Sequence, residues 1–324
     1  MYRILALAGL ALVVAATGAP VARAAFPGAN GRIAFSAFAS REDAVPPTRS
    51  ESIDVAQPSG RGRQSLRYCS MVEAEPDRGD CSIGYGSPAW SPSGARLAFD
   101  AGTRIALMNR DGSGFRLLNQ QTADDGEPAW SPDGTRLVFS GPRTAGGPRD
   151  VYVLNLRRGA MRRLTFRGGR SPAWSVRGRI AFVRGSRGHK PGLRPGTGDI
   201  YTVRAGGRAL RRITFHGGAD PAWSPHGTRL AFARQRRYGP FSLYAVRASG
   251  RGLKRLPTAE GGGSPEHPAW SPDGRWIAYE SFDNGVWVQR LDGTRARQVA
   301  YGAVGGDYSI GAFGPDWQPV RASR

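Results

Sequence analysis

Glu127, Asp220 and His267 are the residues best suited to chemistry, and each precedes the same tripeptide, Pro-Ala-Trp. Ser87 and Ser171 precede two further copies, Gly314 precedes Pro-Asp-Trp, and Asp124 lies three residues before Glu127. Carboxylates and an imidazole brought to one place would hold a cation or a basic peptide terminus. They would also suit a metal that activates water for hydrolysis of a lactone or sugar. Nothing in their spacing demands such a site. Gly-x-Ser-x-Gly, His-Glu-x-x-His, a phosphate loop and an EF-hand pattern are all missing from the sequence. The chain is therefore read as carrying no catalytic residue, no metal ligand set and no cofactor.

What places these residues is a repeat. Four segments align without gaps: Ser87-Pro-Ala-Trp-Ser-Pro-Ser-Gly-Ala-Arg-Leu-Ala-Phe99 and the stretches from Glu127 to Phe139, Asp220 to Phe232 and His267 to Tyr279. A fifth copy, Ser171 to Phe182, is one residue shorter. Two halves complete the set, Gly31-Arg32-Ile33-Ala34-Phe35 near the start and Pro315-Asp316-Trp317 near the end. The repeat tryptophans are Trp90, Trp130, Trp174, Trp223, Trp270 and Trp317, a period that suits a four-stranded unit. Their fixed place marks them as packing between units. Pro-Ala-Trp reads as a short strand, Ser-Pro-Asp-Gly as a type I turn, and Arg-Leu-Ala-Phe as the returning strand. Two more strands follow in each unit, such as Val151-Tyr-Val-Leu154 and Arg162-Arg-Leu-Thr165.

Six four-stranded sheets stack radially to bury their apolar faces, and a closed ring protects the end sheets. The spacing predicts an all-β, six-bladed β-propeller over residues 25–324. Its ring is closed by the C-terminal strand pairing with the N-terminal blade. The Pro-x-Trp-Ser-Pro-Asp-Gly-x-x-Ile-Ala-Phe unit resembles the TolB-type propeller repeat, also found in relatives of prolyl oligopeptidase. The likeness covers roughly residues 26–320. The sequence lacks the separate N-terminal α/β domain that TolB carries ahead of its propeller. The resemblance implies a role in interactions at the cell envelope.

Strand order sorts the connections onto two faces. The Ser-x-x-Gly turns and the links between third and fourth strands are short and share one face. The opposite face receives the long links 36–52, 70–87, 140–149, 184–198, 234–240 and 300–314. Long loops on a rigid scaffold are where binding concentrates. Ser87, Asp124, Glu127, Ser171, Asp220 and His267 should stand there, at the mouth of the central channel. A basic rim of Arg184, Arg187, Lys190, Arg194, Arg234, Arg236 and Arg237 would surround them.

The N-terminus reads as an export signal. Arg3 precedes an apolar run from Ile4 to Ala19, and Ala22-Arg23-Ala24 fits a cleavage site after Ala24. The run is short for an uncleaved spanning anchor, so no transmembrane span remains after cleavage and the product is periplasmic or secreted. Cys69 and Cys81 are the only cysteines, and in an exported chain they read as one disulfide. Of 46 basic side chains only Lys190 and Lys254 are lysines. So lopsided a ratio behind a net charge of +21 points to Arg-biased composition, not to a specific nucleic-acid partner. Loose association with anionic envelope polymers is the expected consequence. The expected protein is a monomeric, exported, non-enzymatic scaffold that binds a protein or peptide through its long-loop face. The alternative is a metal-dependent lactone or sugar hydrolase acting at the channel mouth.

Overall fold

Each repeat core folds as the inner half of one sheet. The turn between its strands closes as the sequence predicts, with Gly94, Gly134, Gly178, Gly227 and Gly274 donating N–H to the carbonyls of Ser91, Ser131, Ser175, Ser224 and Ser271. In four copies the serine Oγ also accepts from the first residue of the returning strand: Arg96, Arg136, Arg229 or Trp276. Gly94 sits at φ 67° against the backbone of Pro319 in the neighbouring blade, so a Cβ has no room there.

The computed structural model describes residues 23–41, 48–70, 84–118, 122, 124–185, 198–235, 239–258, 263–281, 285–301, 303–305 and 308–320. They form six sheets, antiparallel but for one short strand, and no helix. Blade 2 runs outward through Tyr85–Trp90, Arg96–Ala101, Arg104–Asn109 and Arg116–Leu117. Blade 3 begins at Gly126–Trp130 and ends at Met161–Arg163. Blade 4 runs from Arg170–Trp174 to Arg211–Arg212, blade 5 from Ala219–Trp223 to Lys254–Arg255, and blade 6 from Pro265–Trp270 to Arg297–Ala300. Blade 1 mixes both chain ends, as expected. Tyr308–Val320 is hydrogen-bonded to Ala29–Arg41, with Ile33 opposite Trp317 and Ala34 opposite Asp316.

The six repeat tryptophans are all buried between blades. The Trp130 indole donates to Ala89 O at 3.0 Å and that of Trp223 to Ala173 O at 3.2 Å, each reaching back to the preceding blade. Arginines join the blades near the surface. Arg162 donates to Gly206 O, Arg211 to Ser249 O, Arg297 to Pro58 O and Arg32 to Arg110 O, each a carbonyl of the neighbouring blade. Arg96 and Arg136 lie over the rings of Trp130 and Trp174 in the next blade.

Two of the predicted long loops are largely strand. The link at 36–52 is an extension of the hairpin, paired as far as Arg41 opposite Thr48, and much of 300–314 lies in Ala303–Gly305 and Tyr308–Val320. The alternating small and polar residues there read as loop. Cross-strand pairing, with Phe38 stacked on Phe313 at 5.3 Å, makes them sheet. A further strand, Arg23–Ala24, adds in parallel to the inner edge of blade 5. Among the described residues no helix is long and apolar enough to cross a membrane.

Candidate functional site

The residues before Pro-Ala-Trp share an unusual backbone. Ser87, Glu127, Ser171, Asp220 and His267 have φ between 47° and 58°, and Gly314 has φ 62°. Side chains adopt this left-handed region at a cost. In each of these blades the pairing register slips at this point, the mark of a β-bulge. The bulge takes N–H groups out of the sheet ladder, and acceptors on neighbouring blades meet them.

These contacts run round the ring. Trp90 N donates to Asp316 at 2.7 Å, joining blades 1 and 2. Glu127 N donates to Asp100 at 2.8 Å, joining 2 and 3. Ser171 N donates to Glu127 at 2.7 Å, joining 3 and 4, while Ser140 donates to the same carboxylate oxygen. Ser171 Oγ donates to Asp220 at 3.3 Å, joining 4 and 5. His267 lies 3.5 Å from Asp220 and 2.7 Å from Glu280, joining 5 and 6. Gly314 N donates to Glu280 at 3.1 Å and completes the circuit.

Burial and charge set the protonation states. Burial pushes the Asp100 carboxyl up to about 8 and also raises Glu127, whose neighbour Arg149 opposes the shift. For His267 burial works against the cation, but Asp220 and Glu280 outweigh it and raise the imidazole to about 9. Near neutral pH Asp100 thus holds its proton in substantial part, and His267 is an imidazolium.

The structure brings five of the six candidate site residues into one ring and places Asp124 beside it. Ser87, Glu127, Ser171, Asp220 and His267 are all buried, and the last four bond to adjacent blades. Asp124 is more open and pairs with Arg149 at 2.5 Å. Arg149 in turn donates to Ser140, which bonds Glu127. The arrangement braces the channel. Among the described residues no group of three or more His, Cys, Asp or Glu is placed to hold a metal ion. Sequence reasoning missed Asp100, Ser140 and Glu280. All three follow the Phe or Tyr of the returning strand, where the two remaining full copies carry Val183 and Ala233, and that polar substitution was the available signal.

The long-loop face presents aromatic rings to solvent. Phe166 and Phe215 follow the fourth strands of blades 3 and 4 and are 70% and 64% exposed; Tyr301, at the matching place in blade 6, is 70% exposed. In blade 3 the buried Asp150 accepts from Arg163, Thr165 Oγ1 and Gly168 N, and Arg163 lies over Phe166 at 4.8 Å. Blade 4 repeats the unit with Asp199, Arg212, Thr214, Gly217 and Phe215. These aromatics were not singled out from sequence, although Leu-Thr-Phe-Arg-Gly-Gly and Ile-Thr-Phe-His-Gly-Gly are readable there. Of the predicted rim, Arg184 stacks on Phe182 and Tyr201. Arg187, Lys190, Arg194, Arg236 and Arg237 lie outside the described residues, as do Cys81 and residues 1–22 of the expected leader.

Fold and ring together define a six-bladed β-propeller closed by its own C-terminal strand. Residues 79–193 match the family model described as TolB beta propeller domain. No curated protein sequence matches the chain. Among solved structures, TolB from Acinetobacter baumannii is similar at 19% identity and TM-score 0.65, covering 89% of this chain and 67% of that one. A provisionally named TolB from Agrobacterium tumefaciens is similar at 17% identity and TM-score 0.62, covering 90% and 100%. An oligogalacturonate lyase in complex with manganese is similar at 14% identity and TM-score 0.52, covering 79% and 73%. At these identities the likeness is one of fold.

Proposed function

We propose that the protein is an exported, non-enzymatic scaffold that binds a protein or peptide partner in the cell envelope through its long-loop face. The observation that carries this reading is the pair of matched units at Phe166 and Phe215. A large apolar side chain left in water is disfavoured, and two held outward by the same Asp–Arg–Thr brace make a preorganised contact surface. Exposed Arg167 and Arg170 beside Phe166 favour an acidic partner segment. The leader pattern and the likeness to TolB support an envelope location.

Crosslinking capture from the native envelope fraction tests the face. A Phe166→Ala/Phe215→Ala variant should lose capture at least tenfold, since exposed aromatics at an interface centre carry much of its energy. An Arg157→Ala/Arg158→Ala variant, altered on the short-turn face, should capture as the parent does. The reverse pattern would mean that the wrong face has been assigned.

A further inference from the structure

The inner strand of a propeller blade turns one backbone edge toward the central channel. In blade 5 that edge is occupied. Arg23–Ala24 lies parallel to Ala219–Trp223, with Arg23 opposite Ala222 and Ala24 opposite Trp223. The parallel direction places the N-terminal end of this strand toward the long-loop face. The chain then passes down the channel, leaves at the short-turn face and enters blade 1 at Ala29. Ala25 and Phe26 are buried, Ala25 within the apolar cluster that spans blades 5 and 6 and Phe26 within the one that spans blades 2 to 4. Residues 25–26 are thus fixed in the core on their own account.

Cleavage after Ala24 cuts between the paired strand and this anchor. It removes Arg23 and Ala24, leaves Ala25 and Phe26 packed below, and frees the channel-side edge of Ala219–Trp223. We propose that this edge is a strand-addition site for an extended peptide segment entering from the long-loop face, filled by residues 23–24 before processing and open after it. Recognition there is through main-chain hydrogen bonds, so the site selects extended conformation before side-chain identity. The inference rests on cleavage after Ala24 and deepens the peptide-binding reading. It places the end of the bound segment in the channel while Phe166 and Phe215 hold what lies on the rim.

Two forms of the chain test it, one starting at Ala25 and one at Gly18, each first shown to melt cooperatively. The probe is a labelled synthetic peptide of residues Gly18 to Ala24. The Ala25 form should bind it saturably, one per chain. The Gly18 form should bind at least tenfold more weakly, because its own segment fills the slot at a high effective concentration. Methylating the peptide's backbone nitrogens at Arg23 and Ala24 should cost at least tenfold for the Ala25 form. Amide exchange at Trp223, whose N–H faces the channel-side edge, should be faster in the Ala25 form than in the Gly18 form. Absence of saturable binding to the Ala25 form, equal binding by both forms, or indifference to methylation would overturn the proposal. Loss of partner capture by the Phe166→Ala/Phe215→Ala variant with slot binding intact would support the slot and the face separately. Failure of the slot with that capture loss preserved would sink the slot alone.

Discussion

At the scale of single residues, the ring shows how position in a repeat can be legible while role is not. Glu127, Asp220 and His267 are found from sequence because each precedes Pro-Ala-Trp. Their contacts depend on a left-handed bulge that turns each toward the next blade, and no residue type announces that conformation when Ser, Glu, Asp and His all adopt it. Protonation then follows from burial. His267 is raised from 6.5 to about 9, so its contribution to stability is complete below about pH 6.5 and is lost as pH rises through 9. Asp100 is raised from 3.8 to about 8, so the native state binds the extra proton across that interval and stability falls as pH rises through it. Both effects have the same sign between pH 6.5 and 8. The melting temperature should therefore fall between pH 6 and 9, and His267→Gln should flatten the upper part of that decline. Asp100→Asn should cost less than about 1 kcal/mol at pH 7, whereas Asp100→Ala should cost about 1–3 kcal/mol by orphaning Glu127 N. Thermal unfolding across pH checks each. Stability that rises over this interval would contradict the assigned states.

At the scale of elements, strands, turns and ring closure were legible because the repeat is copied five times and its halves fall at the two ends. The hairpin extension was not, since Ala37-Phe-Ala-Ser-Arg41 has no copy elsewhere for comparison. Closure has a specific join beyond the pairing of Ile33 with Trp317. Asp316 Oδ2 accepts from Trp90 N across the boundary between blades 1 and 2. Asp316→Ala leaves that buried N–H without this acceptor, a loss of roughly 1–3 kcal/mol. Asp316→Asn retains an acceptor oxygen and should recover most of it. Denaturant unfolding of the two variants measures the difference, and equal stability would show that the join contributes nothing.

For the molecule as a whole, the charge of +21 acquires a structural reading. Arg32, Arg162, Arg211 and Arg297 donate to carbonyls of neighbouring blades, and Arg96 and Arg136 cover neighbouring tryptophans. A planar guanidinium can stack and donate together, which a lysine ammonium cannot. The scarcity of lysine therefore agrees with blade-to-blade stitching as well as with composition bias. Link lengths single out the face expected to bind, but its aromatic content was not legible, because Phe166 and Phe215 sit where apolar residues ordinarily mark a buried strand end. Hydrogen exchange of the protein alone and with its captured envelope partner tests that choice most directly. Protection at residues 164–169 and 213–218, with the Ser-x-x-Gly turns at 131–134, 175–178 and 224–227 unchanged, is the predicted result. Protection confined to those turns would contradict it.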